Sequence, residues 1–219
     1  MQENKLTIRG ELSLLLVIII NSLGVVLMLH SDSGISAISS VPYAFADVLP
    51  VITLGAWTEV FQVSLVLSLM LLSKRFVPVY LFSFVVGSAF SAMIDVHKMW
   101  IKQLPQSLTL DIIYFTISYI VICFGVALAN RCQLPIIPTD LFPRELAAIT
   151  GWSYARIKIG FDVICLAITA AMTFFFLGRV DGLGFGTILA AFTMGKVIGS
   201  IGEYMDKHVK FVSFLSSRA

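Results

Sequence analysis

The chain has 219 residues, 58% of them hydrophobic and only 13% charged, with a formal net charge of +2 and a mean hydropathy of +0.94. Ordinary soluble domains carry about 25% charged residues, which excludes a single water-soluble core here. Three cysteines, Cys123, Cys132 and Cys165, have neither ligand nor redox spacing, so a disulfide framework is excluded as well and no cofactor is expected.

Apolar stretches of about 20 residues can cross a hydrocarbon core of about 30 Å. Six follow one another along the chain, at 12–30, 54–73, 76–96, 110–131, 154–177 and 183–203. The first follows Lys5 and Arg9, but no small-residue cleavage site comes after it, so it is read as a retained helix. Two shorter segments, 35–54 and 135–150, interrupt the series. The second holds Pro135, Pro138 and Pro143 together with Asp140, Arg144 and Glu145, and is too short and too charged to face lipid. Both are expected to be re-entrant or interfacial, because such backbone survives at depth only where protein or water satisfies it. If both crossed instead, there would be eight spans in two parallel repeats.

With six crossings, Lys5, Arg9, Lys74, Arg75, Arg131, Arg144, Arg156, Lys158, Lys207, Lys210 and Arg218 fall on one side, against Lys98, Lys102 and Arg179 on the other. Loop Lys and Arg resist translocation, so the richer side is the cytoplasm and both termini lie there. Trp57 and Trp152, near the starts of the second and fifth spans, suit interfacial anchoring.

The halves resemble each other. Leu23-Gly24-Val25-Val26-Leu27 aligns with Phe124-Gly125-Val126-Ala127-Leu128, and at the same offset Ser39 meets Asp140 and Pro42 meets Pro143. The third span of each half carries small residues at four-residue spacing: Ser83, Gly87, Ser91, Asp95 and Ala191, Gly195, Gly199, Glu203. Such a stripe lets helix backbones approach closely, and it offers a face for a homodimer. Three spans per half make the second half inverted relative to the first. The fold expected is therefore all-α and polytopic: six transmembrane helices as two inverted three-helix repeats, 1–107 and 108–219, each with a short re-entrant or interfacial helix. Inverted repeats with broken helices are a recurrent carrier plan, with the site at the repeat interface.

Ser39-Ser40 before Pro42, and Thr139-Asp140 before Pro143, read as caps followed by a first-position proline. A helix starting at depth aims free N–H groups at the cavity, which suits an anion, although Asp140 opposes one at its own terminus unless neutralised. Lys158 and Asp162, four apart, share a face and can pair. Asp162 sits about 13 Å along the helix from Ser153, too deep for a short side chain to reach the surface. An intramembrane carboxylate of that kind is a functional candidate, with a structural ion pair as the alternative. Opposite stand Glu59 and Gln62, three apart on the second span; Asn21 and Ser22 serve either helix packing or a site. Lys196 can snorkel or pair with Asp140 or Asp162. The run Gly182-Leu183-Gly184-Phe185-Gly186 follows no strand, which argues against dinucleotide binding. No P-loop, nucleophile elbow or HExxH is present, and His30, His97 and His208 lack metal spacing, so no enzyme is expected.

Phe124-Gly125-Val126-Ala127-Leu128, Pro138-Thr139-Asp140, Thr150-Gly151-Trp152-Ser153-Tyr154-Ala155-Arg156 and Gly182-Leu183-Gly184-Phe185-Gly186-Thr187, with Gly195 beyond, resemble the YczE/YitT-type bacterial integral membrane proteins. The first half departs from this pattern at Ser39. The resemblance implies a bacterial inner membrane and an internal repeat, and carries no substrate.

The function expected is a small secondary transporter for a small polar or anionic solute, coupled to protons or cations through Asp140 or Asp162. Its expected site is Ser39, Glu59, Gln62, Thr139, Asp140, Arg144, Lys158, Asp162 and Lys196. Its partners are membrane lipid and the cargo, with no nucleic acid. The alternatives are a substrate-binding membrane subunit of an ATP-driven importer and a non-transport scaffold.

Overall fold

The computed structural model describes residues 6–73 and 78–213. Lys5, Lys74, Arg75 and Arg218, counted above among the inner cations, and Phe76, the expected start of the third span, lie outside the described residues.

In chain order the elements are β1 (Leu6–Arg9), α1 (Gly10–His30), α2 (Ala37–Val48), α3 (Leu54–Ser73), α4 (Pro78–Ile101), α5 (Leu108–Ala129), α6 (Pro138–Thr150), α7 (Tyr154–Leu177), α8 (Phe185–His208) and β2 (Val209–Val212). Six of these helices, α1, α3, α4, α5, α7 and α8, are long and apolar enough to cross a membrane. At 1.5 Å per residue their 20 to 24 residues reach about 30–36 Å, the thickness of a hydrocarbon core. Their outward faces confirm the solvent they are built for: Leu71, Val85, Phe175 and Phe185 stand largely exposed. In water those side chains would be a severe liability; in lipid they cost nothing. The protein is a multi-span helical membrane protein.

The bundle is organised around α1 and α5, which pack antiparallel. A Cβ added at Gly24 would lie 2.6 Å from Cγ1 of Ile122, and one at Gly125 would collide with the Asn21 amide. These two glycines are the aligned pair of the sequence motif, and each admits the other helix at closest approach. Around this axis the packing partners recur. α1 packs on α4 as α5 does on α8, and α3 on α4 as α7 does on α8. The two short helices exchange: α2 packs on α7, and α6 on α3.

Two features depart from the sequence expectation. Leu6–Arg9 and Val209–Val212 form a parallel strand pair, in register Leu6↔Val209 to Arg9↔Val212, which holds both ends of the described chain at one end of the bundle. The α8 stripe also ends early. Ala191 is buried and Gly195 lies against Ala155 and Lys158, but nothing approaches Gly199, and Glu203 is exposed. The α4 stripe packs inside the chain, with Gly87 against Gln62 and with Ser91 and Asp95 against Gly55.

The glycine run before α8 has a packing role. Ile35 N–H donates to Gly182 O at 3.3 Å, and Gly186 N–H donates to Ser33 O at 2.9 Å. Gly34, at φ +106°, has Thr187 where a Cβ would stand. This junction turns the chain after α1 back towards the bundle centre, where α2 begins.

Candidate functional site

α2 and α6 both start at the middle of the bundle, on the wall of one cavity of about 40 Å³. Asn21 and Val25 of α1, Ser36, Ile38 and Ser39 at the α2 start, and Phe90 of α4 line one part of it. Ile122 and Val126 of α5, Thr139 and Asp140 at the α6 start, Lys158 of α7, and Met194 and Ile198 of α8 line the rest. One water needs roughly 10–15 Å³ of such space, so the chamber has room for about three.

The helix starts differ from the expected grammar. Ser36 and Ile137 are the N-cap residues, and neither supplies a side-chain cap. Pro138 occupies the first turn of α6, while Pro42 and Pro143 lie inside their helices instead of opening them. A proline has no N–H for the carbonyl four residues back. The carbonyls of Ile38 and Thr139, both cavity residues, therefore lose their helical donors, and no side chain caps either start, although at α6 Pro138 has no N–H and Asp140 N–H donates to Ile137 O at 2.9 Å.

The charged groups are drawn in from one side. Lys158 Nζ donates to both Oδ1 and Oδ2 of Asp162, each at 2.6 Å, with side-chain exposures of 7% and 1%. The i,i+4 pair read from the sequence is thus formed and buried. Asp140 is also buried, with Lys158, Arg144 and Asp162 as its charged neighbours. No described residue makes an ion pair or hydrogen bond with its carboxylate. A buried Ser40–Thr169 hydroxyl contact at 2.8 Å ties α2 to α7 beside the chamber.

Of the expected site residues, Ser39, Thr139, Asp140 and Lys158 line the cavity, and Asp162 stands behind it as the partner of Lys158. Gln62 is fully buried beside Gly87 and Pro138, close to the α6 start, and neither atom of its amide has a partner. The other three are elsewhere. Glu59 accepts from Ser88 at 2.8 Å and Ser91 at 3.2 Å, in a separate groove shared with Thr53 and Asp95. Arg144 pairs with Glu145 at 3.2 Å, and Tyr80 donates to the same carboxylate at 3.1 Å. Lys196 is exposed on α8, because its position in the helix lies one residue past the buried Gly195. Its stem therefore runs outward, towards neither Asp140 nor Asp162.

Ser36, Phe90 and Met194 line the cavity without having been singled out in the sequence. Ser36 had a signal, since serine is a favoured N-cap residue and it stands at the head of the 37–48 segment. Phe90 and Met194 look like any other apolar residue of a spanning helix.

Residues 8–203 match the profile of a family described only as a family of unknown function, DUF6198. No curated protein and no solved structure matches the chain.

Proposed function

Given that the chain belongs to this family, whose description carries no activity, we propose that it is a small secondary transporter for a small polar or anionic solute. The observation that carries the proposal is the convergence of two helix starts without side-chain caps on one chamber lined by Asp140 and by Lys158, which is paired to Asp162 behind it. Buried charge is expensive in a bilayer, and packing alone gives no reason to place a carboxylate without a partner there.

The repeat belongs to the same proposal. Residues 1–107 and 108–219 are two inverted units, a reading supported by the recurring packing partners and by the antiparallel α1 and α5. α2 and α6 are their re-entrant helices. Pseudo-symmetric halves around a central site allow each half to take the other's conformation, which is the basis of alternating access. The end that carries β1 and β2 is the cytoplasmic one, in a bacterial inner membrane, as the loop cations and the YczE/YitT-type resemblance suggest.

The test uses purified protein in two steps. A thermal-shift screen against small anions, cations and metabolites is expected to find a stabilising solute. Liposomes holding the chain alone are then expected to take that solute up. Copurification of an ATPase, with no uptake by the isolated chain, would move the protein to the importer-subunit class. A stably folded protein that responds to no solute would make it a scaffold.

A further inference from the structure

The central chamber contains one carboxylate that the packing leaves alone. Lys158 and Asp162 satisfy each other at 2.6 Å and together carry no net charge. Asp140 lines the same chamber at 7% exposure and has no bonding partner among the described residues. Facing it are the uncapped starts of α2 and α6, helices of 12 and 13 residues. Each such terminus is equivalent to about half a positive charge, so the two together contribute about one. Ionised Asp140 neutralises that charge. Protonated Asp140 leaves a positively polarised chamber with no counter-ion.

The rest of the wall is neutral where the helices start. Asn21, 3% exposed, has its Oδ1 turned against Gly125 of α5, and Ser36, Ser39 and Thr139 line the chamber with it.

On the transporter reading above, we infer that Asp140 is a proton site competing with a small monovalent anion for the two helix starts, so that each anion travels with one proton. Ionised Asp140 and the anion are like charges confined to about 40 Å³, and the chamber neutralises only one of them. Protonating Asp140 therefore strengthens anion binding, and by linkage the anion strengthens proton binding by the same factor. The charge balance closes: one anion and one proton enter from one side and leave to the other, and no net charge crosses. The chamber limits the anion to about three or four heavy atoms.

The other groups near Asp140 come from several elements. From α7 these are Lys158, Asp162 and the Tyr154 hydroxyl, and from its own helix Arg144, paired with Glu145. α4 presents Tyr80, bonded to Glu145, and α3 presents Gln62, which does not titrate. α1, α5 and α8 present Asn21, Ile122, Val126, Met194 and Ile198. Tyrosine hydroxyls hold their protons near neutrality, and Lys158–Asp162 and Arg144–Glu145 are each paired, which leaves Asp140 as the chamber carboxylate without a partner among the described residues.

Nitrate is a suitable probe, being small, planar and the conjugate base of an acid too strong to leak through lipid in its neutral form. Nitrate is expected to stabilise the purified protein, with an affinity that falls about tenfold per pH unit on the alkaline side of the Asp140 titration. In liposomes an inward proton gradient should drive nitrate uptake, with one proton arriving per nitrate and no response to an imposed membrane potential. Asp140→Asn should bind nitrate equally at acid and alkaline pH and should carry it electrogenically. Nitrate binding by the wild-type protein that ignores pH, or uptake that follows the membrane potential, overturns proton coupling and leaves the transporter reading standing. Stabilisation by sodium in place of nitrate assigns Asp140 to a cation and also overturns it. A folded protein that binds none of nitrate, chloride and acetate at any pH overturns the proton–anion reading, and the transporter reading falls with it only if the wider solute screen is also blank.

Discussion

The Lys158–Asp162 pair makes a quantitative demand. Both side chains are buried, and one ammonium is shared by two carboxylate oxygens at 2.6 Å. Removing one member of such a pair strands the other charge, at about 3–5 kcal/mol. Asp162→Asn keeps one acceptor oxygen, which returns about 1 kcal/mol, so its expected cost is about 2–4 kcal/mol. For a chain of this length that corresponds to a loss of about 5–15 °C in Tm. The sequence alone suggests that this variant would lose coupled uptake and keep its fold; the bidentate geometry says that stability falls too. Lys158→Met should cost a similar amount. The double variant Lys158→Met/Asp162→Leu, which removes both charges and fills their space, should be neutral or more stable by about 1–4 kcal/mol. The assay is a double-mutant cycle of reversible unfolding in mixed detergent micelles. Single variants within about 0.5 kcal/mol of wild type, or a double variant no better than the worse single one, would show that the pair is not the buried, mutually dependent unit argued here.

Three further outcomes follow from packing. Gly24→Ala drives a Cβ to within 2.6 Å of Ile122 on the central α1–α5 contact and should destabilise by about 1–3 kcal/mol, whereas Gly160→Ala, with nothing within 4 Å, should be neutral or stabilising by up to about 1 kcal/mol; the same unfolding assay compares them. Gln62→Leu replaces an amide with two unpartnered atoms by an apolar side chain of similar size, so folding stability should hold or rise slightly, and an unchanged uptake rate would remove Gln62 from the route of the solute. For topology, Lys102→Cys and Arg179→Cys should react with an impermeant thiol reagent added to intact cells, and Lys207→Cys only after permeabilisation; the native Cys123, Cys132 and Cys165 are buried and should give little background. Labelling of Lys207→Cys from outside would overturn the orientation.

The fold was more legible than its ends. Residues 54–73 and 154–177, read as spans from hydropathy, coincide with α3 and α7. The match is physical: a lipid-facing helix must stay apolar for its whole length, so composition and boundary coincide. The terminal strands escaped because Leu6–Arg9 and Val209–Val212 are too short to signal alone, and each is a strand only because the other lies beside it. The prolines misled for a related reason. A proline is cheapest in the first turn of a helix, yet Pro42 and Pro143 sit deeper, where the carbonyls they leave unpaired belong to Ile38 and Thr139 on the cavity wall. Local grammar optimises a helix by itself; these two are tuned to what they enclose.

The same distinction separates the site residues that were found from those that were misplaced. Asp140, Lys158 and Asp162 were legible because a charge inside an apolar stretch is an anomaly whichever way it points. Glu59 and Lys196 are equally anomalous in sequence, but direction decides their role, and direction depends on where neighbouring helices pack. Shifting the first half by the offset that aligns Gly55 with Gly151 places Gln62 on Lys158 and Val66 on Asp162. The packing agrees, since Gln62 lies against Gly87 as Lys158 lies against Gly195. Ser39 likewise stands for Asp140. On the proposed repeat, the first half is a neutral counterpart of the charged cluster, and Glu59, one turn from Gln62, stands outside that set. In the second half an ammonium and a carboxylate occupy the places of an amide and a valine. On the same reading the pair is matched within itself, and Ser39 against Asp140 is the position where the two halves differ by an unpartnered carboxylate.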